Sequence, residues 1–167
     1  MTAPILCSGC ALVLPDQHRP HPARFNASGE CEQLYHELSF YTLAHPSTDF
    51  IHQTAVDAYA AQHVGAATKP ITTVFSLVGL CLALEHGYTG RQVQRAHMAL
   101  AQQENTWLPL QAPAGAATVT VLDVLLEDPG PKRDAALQRW AAAVWHSWPI
   151  QHVRIRQLIS QYGLAAA

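Results

Sequence analysis

Three cysteines in the first part of the chain have a spacing that suits a metal site. Cys7 and Cys10 are separated by two residues, and Cys31 follows at the predicted start of the first helix. A two-residue spacing lets both thiolates reach one tetrahedral Zn²⁺ at about 2.3 Å, and Gly9 permits the tight turn between them. We therefore expect a structural zinc site at this end of the chain.

Spacing alone does not identify the fourth ligand. His18 and His21 both lie between the cysteine pair and Cys31, and either one completes a Cys₃His set. Two other interpretations remain: three buried free thiols, or a redox-active dithiol of Cys7 and Cys10. A thioredoxin-like dithiol needs a strand–helix context, which this stretch does not offer.

A second group of polar residues lies on the predicted helix FIHQTAVDAYAAQH, residues 50–63. His52 and His63 share a face, but eleven residues separate their Cα atoms by about 16 Å along the axis, so they cannot bind one metal together. Closer pairs on this helix are Asp49 with His52, Gln53 with Asp57, and Tyr59 with His63. Side chains from other helices must complete any site here, or each residue has its own hydrogen bond.

Glu85 and His97 are the candidate partners from other helices. Glu85 falls on the apolar face of its helix, where an unpaired carboxylate is costly, so we expect it to meet a cation, a metal or a histidine. The candidate catalytic residues are His52, Asp57, Tyr59, His63 and Glu85. Asp57 or Glu85 would be ligand or general base, the histidines ligands or proton carriers, and Tyr59 a donor that orients a substrate. A second metal is possible in this site, and no reaction is assigned.

The elements that carry these residues are predicted to be helical. Residues 1–29 contain turn signals and form an irregular, zinc-knuckle-like cap, and residues 30–167 form an all-α bundle of four to five helices. The first four predicted helices are residues 30–45, a helix that is capped by Ser47 or Thr48 and ends near residue 65, residues 70–87 and residues 89–104. They are followed by a short helix capped by Thr118 or Thr120 and by a long helix over residues 131–162. Pro149 should kink or split the last one.

Composition limits the function classes. The 167 residues are 49% hydrophobic and 13% charged, with a net charge of −2, which argues for a single folded domain and against nucleic-acid binding. No run approaches the ~20 apolar residues of a membrane helix, and the N-terminus lacks the basic start of a signal peptide. We expect a cytoplasmic protein. The chain is rich in histidine, and protonating all ten would move the net charge from −2 to +8.

The chain also resembles an uncharacterised family of small bacterial proteins, domain of unknown function 5946. The resemblance covers nearly the whole chain and rests on an N-terminal Cys-x-x-Cys, a further His and Cys, a central Val-Asp-Ala-Tyr-x-x-Gln-His, a Gly-Leu-x-Leu-x-x-Glu segment and a Trp-rich last helix. It favours His21 over His18 as the fourth zinc ligand, so that the implied set is Cys7, Cys10, His21 and Cys31. It also singles out His52, Asp57, His63 and Glu85, and it implies no reaction.

A non-enzymatic role is the alternative. In that case zinc is purely structural, and the last helix presents Trp140, Trp145 and Trp148 to a protein partner, since Trp is favoured in binding hot spots. Burial of these rings in the core would remove that surface, and we expect burial more for Trp140 and Trp148 than for Trp145. The sequence identifies neither a small-molecule nor a protein partner, nor an oligomeric state.

Overall fold

The computed structural model describes residues 3–45, 48–103 and 106–165. Within these ranges the protein is mostly helical, as predicted, with one two-stranded sheet. The elements are β1 (Pro4–Leu6), β2 (Val13–Pro15), α1 (Gly29–Ala44), α2 (His52–Gln62), α3 (Pro70–His86), α4 (Gly90–Gln103), α5 (Val121–Leu125), α6 (Pro131–His146), a 3₁₀ turn (Pro149–Gln151) and α7 (His152–Gln161).

The N-terminal segment is more regular than the irregular cap expected. Strands β1 and β2 pair antiparallel, with Ile5 opposite Leu14, and the Cys-x-x-Cys stretch forms the turn between them. Cys7 N donates to Leu12 O at 2.8 Å, and Ala11 N donates to Cys7 O at 2.9 Å. Strands of three residues are too short to show a period-two pattern, which is why the sequence did not reveal them.

The remainder of the cap is fastened to the helices by hydrogen bonds. The carboxylate of Glu30, in the first turn of α1, accepts from the backbone N–H groups of Gln17 and Arg19 at 3.0 and 3.2 Å. Asn26 N donates to His63 O, at the end of α2, at 2.9 Å. The cap is therefore held against both α1 and the C-terminal end of α2.

Helix α3 begins and ends, and helix α4 begins, where the sequence predicts. Pro70 occupies the first turn of α3, and Gly87 ends that helix with φ of 67°, a left-handed conformation that favours glycine. Before α4, Thr89 and Gln92 form a reciprocal capping box, with bonds of 2.8 and 3.3 Å. The proposed cap at Ser47 lies outside the described residues, as does Glu104.

The described residues contain seven α-helices, more than the four to five expected. Pro149 splits the long C-terminal segment: α6 ends at His146, and α7 starts at His152 after a 3₁₀ turn. The short α5 is a separate helix with a capping box between Thr120 and Asp123. None of the helices in the described ranges has the combination of length and apolarity that crossing a bilayer requires.

Helix α2 lies at the centre of the molecule and packs against α1, α3, α4 and α6. The three tryptophans of the C-terminal segment fill the core around it: Trp140, Trp145 and Trp148 are 0, 2 and 2% exposed. Trp145 is as buried as Trp148, so the expected difference between them is absent, and these rings do not form an aromatic surface for a partner. Their N–H groups each find an acceptor, as buried indoles require.

Candidate metal centre

The turn of the β1–β2 hairpin and the first turn of α1 bring three cysteines together. Cys7, Cys10 and Cys31 are 1, 2 and 0% exposed, and no disulfide joins them. Cys31 N donates to Ser28 Oγ at 3.1 Å, so the N-cap of α1 fixes the position of this cysteine. A Cβ atom on Gly9 would overlap Asn26 O and the ring of His63, which is a second reason for glycine in this turn.

The imidazole beside these cysteines is that of His63. Its Nε2 lies 3.4 Å from Cys31 Sγ, and its Nδ1 lies 2.8 Å from Tyr59 O, one turn back in α2. A carbonyl oxygen only accepts, so Nδ1 carries the ring proton and Nε2 presents its lone pair to the sulfurs. A bond of this kind is the usual means of fixing the tautomer of a metal-binding histidine.

The distances between the four donor atoms suit a tetrahedral ion. One donor atom from each of Cys7, Cys10, Cys31 and His63 lies within 4.8 Å of the others. Zn–S bonds of about 2.3 Å and a Zn–N bond of about 2.0 Å place tetrahedral S···S and S···N edges at roughly 3.8 and 3.5 Å. The Cys10–Cys31 sulfur distance is 3.8 Å, and the Cys31–His63 distance is 3.4 Å.

His63 therefore occupies the place for which the sequence suggested His21 or His18. His21 is exposed, and its Nδ1 lies 3.2 Å from Ala27 O. His18 is 82% exposed at the side chain, with its Nδ1 3.3 Å from Asp16 Oδ2. His63 is 32 residues beyond Cys31 in the chain, and only the packing of α2 against the cap brings it to the sulfurs. The resemblance marked His63, but as a residue of the bundle site.

Hydrogen bonds among the three cysteines change the pKa values of Cys7 and Cys31 in opposite directions. Hydrogen bonds with Cys10 and Cys31 lower the pKa of Cys7, whereas hydrogen bonding with Cys10 and Cys7 raises the pKa of Cys31, as does its burial. One thiol thus ionises readily, and the next is harder to ionise beside it. A divalent cation at the centre would remove this penalty, since it favours every ligand in the thiolate form.

Tyr59, proposed as a substrate-orienting donor, belongs to the surroundings of this cluster. Its ring stacks on His63 with centroids 3.9 Å apart and on Tyr35 at 4.1 Å. Its hydroxyl donates to Cys31 Sγ at 3.6 Å. Burial, and then the Cys31 charge, raise the pKa of Tyr59, so the phenol stays protonated and can donate to a thiolate.

The other predicted site residues lie elsewhere. His52 is half-buried, with Nδ1 2.8 Å from Thr42 Oγ1, and burial lowers its pKa. Glu85 meets a cation, as expected: Arg156 donates to both its oxygens at 2.7 and 2.8 Å, and Trp145 Nε1 donates at 3.0 Å. These contacts lower the pKa of Glu85 to about 2, and the hydrogen bond from Arg156 has the largest effect.

Asp57 lies apart from these groups, in a cleft formed by α2, α3 and α4. It is 4% exposed and accepts a hydrogen bond from Gln53 Nε2 at 3.0 Å. Burial raises its pKa well above the ordinary value of an aspartate. His97, the fourth-helix residue considered for the bundle site, lines the same cleft. Within the described ranges, the Cys₃His group is the one set of three or more potential ligands close enough to hold an ion.

Comparison with known proteins adds the family and no function. Neither the curated proteins nor the solved structures contain a match to this chain. The model of the family of unknown function (DUF5946) matches residues 5–149, and with most of its length covered the chain belongs to that family.

Proposed function

We propose that the protein binds one Zn²⁺ through Cys7, Cys10, Cys31 and His63, and that the ion stabilises the fold. The observation that supports this most strongly is the cluster of four buried donor atoms within 4.8 Å of one another, in which the Cys10–Cys31 and Cys31–His63 separations match the edges of a tetrahedral zinc site. The donors come from three parts of the chain: the hairpin turn, the start of α1 and the end of α2. The ion would therefore cross-link the cap to the bundle.

A structural role suits the donor set better than a catalytic one. Catalytic zinc sites have three protein ligands and keep one position for water or substrate. Here four side chains surround the position, and each is at most 2% exposed. The protein would fill the coordination sphere and leave no position for a reacting molecule.

Zinc is the metal that these donors favour. Thiolate sulfur and imidazole nitrogen in a tetrahedral arrangement suit Zn²⁺, whereas Mg²⁺ and Ca²⁺ require oxygen ligands. Three clustered cysteines that no disulfide joins also favour a reducing compartment such as the cytoplasm.

Elemental analysis of natively purified protein tests the proposal. We expect one zinc per chain in the wild type and loss of zinc in both Cys10→Ser and His63→Ala. The matched control is His21→Ala, which removes an exposed histidine of the cap and should leave the zinc content unchanged. A zinc-replete His63→Ala protein, or loss of zinc from His21→Ala alone, would overturn the ligand assignment.

A catalytic site that joins His52, Asp57 and Glu85 receives no support from these contacts. His52 is engaged by Thr42, and Glu85 is held by Arg156 and Trp145. We therefore favour a non-enzymatic, zinc-stabilised protein. Its binding function would reside in a cleft rather than on an aromatic surface, because the tryptophans are buried.

A further inference from the structure

The cleft between α2, α3 and α4 contains a buried carboxyl group, that of Asp57, with no cation beside it among the described residues. The cleft has a volume of about 320 Å³, and its polar lining residues include Arg24, Gln53, Asp57, Ser76 and His97. This is enough room for a small organic molecule. The zinc site is formed by other residues, so the two inferences are independent.

Asp57 is the central residue of this cleft. Gln53 donates to Oδ1, but in the described part of the chain no group donates to Oδ2, and no cation lies within ion-pair distance. A Cβ atom on Gly79 of α3 would overlap Oδ2, so the glycine makes room for this oxygen. An ionised carboxylate at this position is costly to the fold without a cation, so a ligand that carries a cation would offset that cost.

His97 does not supply the missing charge. Its Nε2 lies 2.8 Å from Phe75 O, a carbonyl, so this nitrogen must carry a proton and donate it there. Burial lowers the pKa of His97, which keeps the ring neutral at pH 7. Since Nε2 is occupied and one carboxylate remains, the cleft also lacks the set of ligands that a metal would need.

Arg24 gives the cleft a second charge of opposite sign. It is exposed, stacks over the Phe25 ring at 5.3 Å, and forms no ion pair with a carboxylate among the described residues. The cleft thus has a carboxyl group inside, which a bound cation would hold in its ionised form, and a cationic group nearer to solvent. We propose that it binds a small zwitterion of the amino-acid class, with the ammonium group on Asp57 and the carboxylate on Arg24.

Binding of simple probes to the wild-type, zinc-replete protein tests this directly. The zwitterions are glycine, β-alanine and γ-aminobutyrate, and the single-charge controls are butylammonium and butyrate, each titrated while amide chemical shifts are followed by NMR. We expect at least one zwitterion to bind more tightly than butylammonium, and butyrate to bind weakest, with the shifts centred on residues 53–60 and 72–79. Equal or tighter binding of butyrate, or no shift with any amine, would overturn the proposal.

Two substitutions separate the roles of the charges. Asp57→Asn keeps the shape of the side chain and should weaken the binding of every amine at least tenfold, because a charge-assisted hydrogen bond is lost. In Arg24→Gln, the zwitterions should bind no more tightly than butylammonium, and the affinity for butylammonium should not change. Asp128→Asn, at an exposed carboxylate that pairs with Lys132, is the control and should bind like the wild type. Unchanged amine binding in Asp57→Asn would contradict the assignment.

Discussion

At the scale of single residues, the two ring nitrogens of His63 have separate partners, and this explains how one imidazole can serve a metal site. Nδ1 is fixed by Tyr59 O, and Nε2 faces Cys31 Sγ. The same tyrosine stacks on the ring and donates its hydroxyl to that sulfur. Tyr59 thus contacts two of the four residues of the Cys₃His cluster and would position them as ligands.

Tyr59→Phe tests this positioning role. The substitution keeps the ring stack and removes the hydroxyl bond to Cys31, so the fold should be retained while zinc affinity falls by about tenfold, as for other groups that hold metal ligands. Competition with a chelator of known affinity measures the change. Tyr35→Phe, which keeps the neighbouring ring, is the control; an equal loss in both variants would argue against a specific role for the Tyr59 hydroxyl.

Asp57→Asn should stabilise the protein near neutral pH. Burial raises the pKa of Asp57 in the fold, whereas an unfolded aspartate titrates near ~3.9. The fold therefore binds this proton more tightly, and the stability from this group declines as pH rises from the unfolded pKa to the folded one. We expect the Asp57→Asn variant to gain about 1–2 kcal/mol at pH 7 and progressively less towards pH 4.

Thermal unfolding of the two proteins across this pH range provides the measurement. Zinc release at low pH affects both alike, so their difference isolates Asp57. A variant that is less stable than the wild type at pH 7 would show that the carboxylate stabilises the fold and has a partner.

The sequence predicted three of the four residues that the structure brings into the Cys₃His cluster, and the reason lies in their local spacing. Cys7 and Cys10 form a recognisable knuckle, and Cys31 is close in the chain. The fourth donor depends on packing: a histidine at the end of α2 looks like any polar helix residue until α2 is placed against the hairpin. Spacing within the cap offered His18 and His21, because a nearby ligand requires no knowledge of the tertiary fold, and the resemblance favoured His21.

At the scale of elements, Glu85 connects α3 to the C-terminal helices. It accepts hydrogen bonds from Trp145 of α6 and from Arg156 of α7. Both helices can reach it because the chain turns between them at Pro149. The sequence indicated that Glu85 needs a partner, because it falls on an apolar helix face. It did not identify Arg156, 71 residues away, for the same reason that it missed His63.

Glu85→Gln should reduce stability by about 1 kcal/mol at neutral pH, since an ion pair becomes a neutral contact. The pKa of Glu85 is lowered to about 2 in the fold, so its contribution is complete above the unfolded value near ~4.3 and is lost as pH falls through about 2. Urea unfolding at pH 7 and pH 3 should therefore show a smaller difference from the wild type at pH 3.

The comparison variant is Glu127→Gln, which removes an exposed ion pair with Arg139 and should change the free energy of unfolding by less than ~0.5 kcal/mol. A pH-independent difference for Glu85→Gln would contradict the ionic origin of the contact.

Helix limits were predictable where single residues determine them. Pro70, Gly87 and the Thr89–Gln92 capping box act through their own backbone geometry and local hydrogen bonds. The hairpin was not predictable, because its two strands of three residues are specified by the turn and by packing rather than by an alternating pattern.

At the scale of the whole molecule, the Cys₃His cluster lies where the cap meets the bundle, so a bound ion would join the two. Removal of zinc should release the hairpin and loosen the end of α2, while α6 and α7, whose tryptophans pack in the core, keep their protection. Hydrogen exchange with and without chelator should thus show faster exchange in residues 3–31 and near residue 63. Uniform protection after zinc removal would exclude a stabilising role.

The effect on thermal stability follows from linkage. Free zinc at 1,000 times the dissociation constant stabilises the fold by about 4 kcal/mol, which corresponds to a rise in Tm of roughly 8–16 °C for a chain of this size. Calorimetry of the zinc-bound and the zinc-free protein measures the shift.

The most direct test of the account is zinc K-edge X-ray absorption on the natively purified protein. We expect a first shell of three sulfurs at about 2.3 Å and one imidazole nitrogen at about 2.0 Å, retained in His21→Ala. His63→Ala is purified without zinc, and when it is reconstituted with excess Zn²⁺ its spectrum should lack the imidazole nitrogen. A shell that contains oxygen or a second nitrogen in place of a sulfur, or the same spectrum in His63→Ala, would contradict the Cys7, Cys10, Cys31 and His63 site.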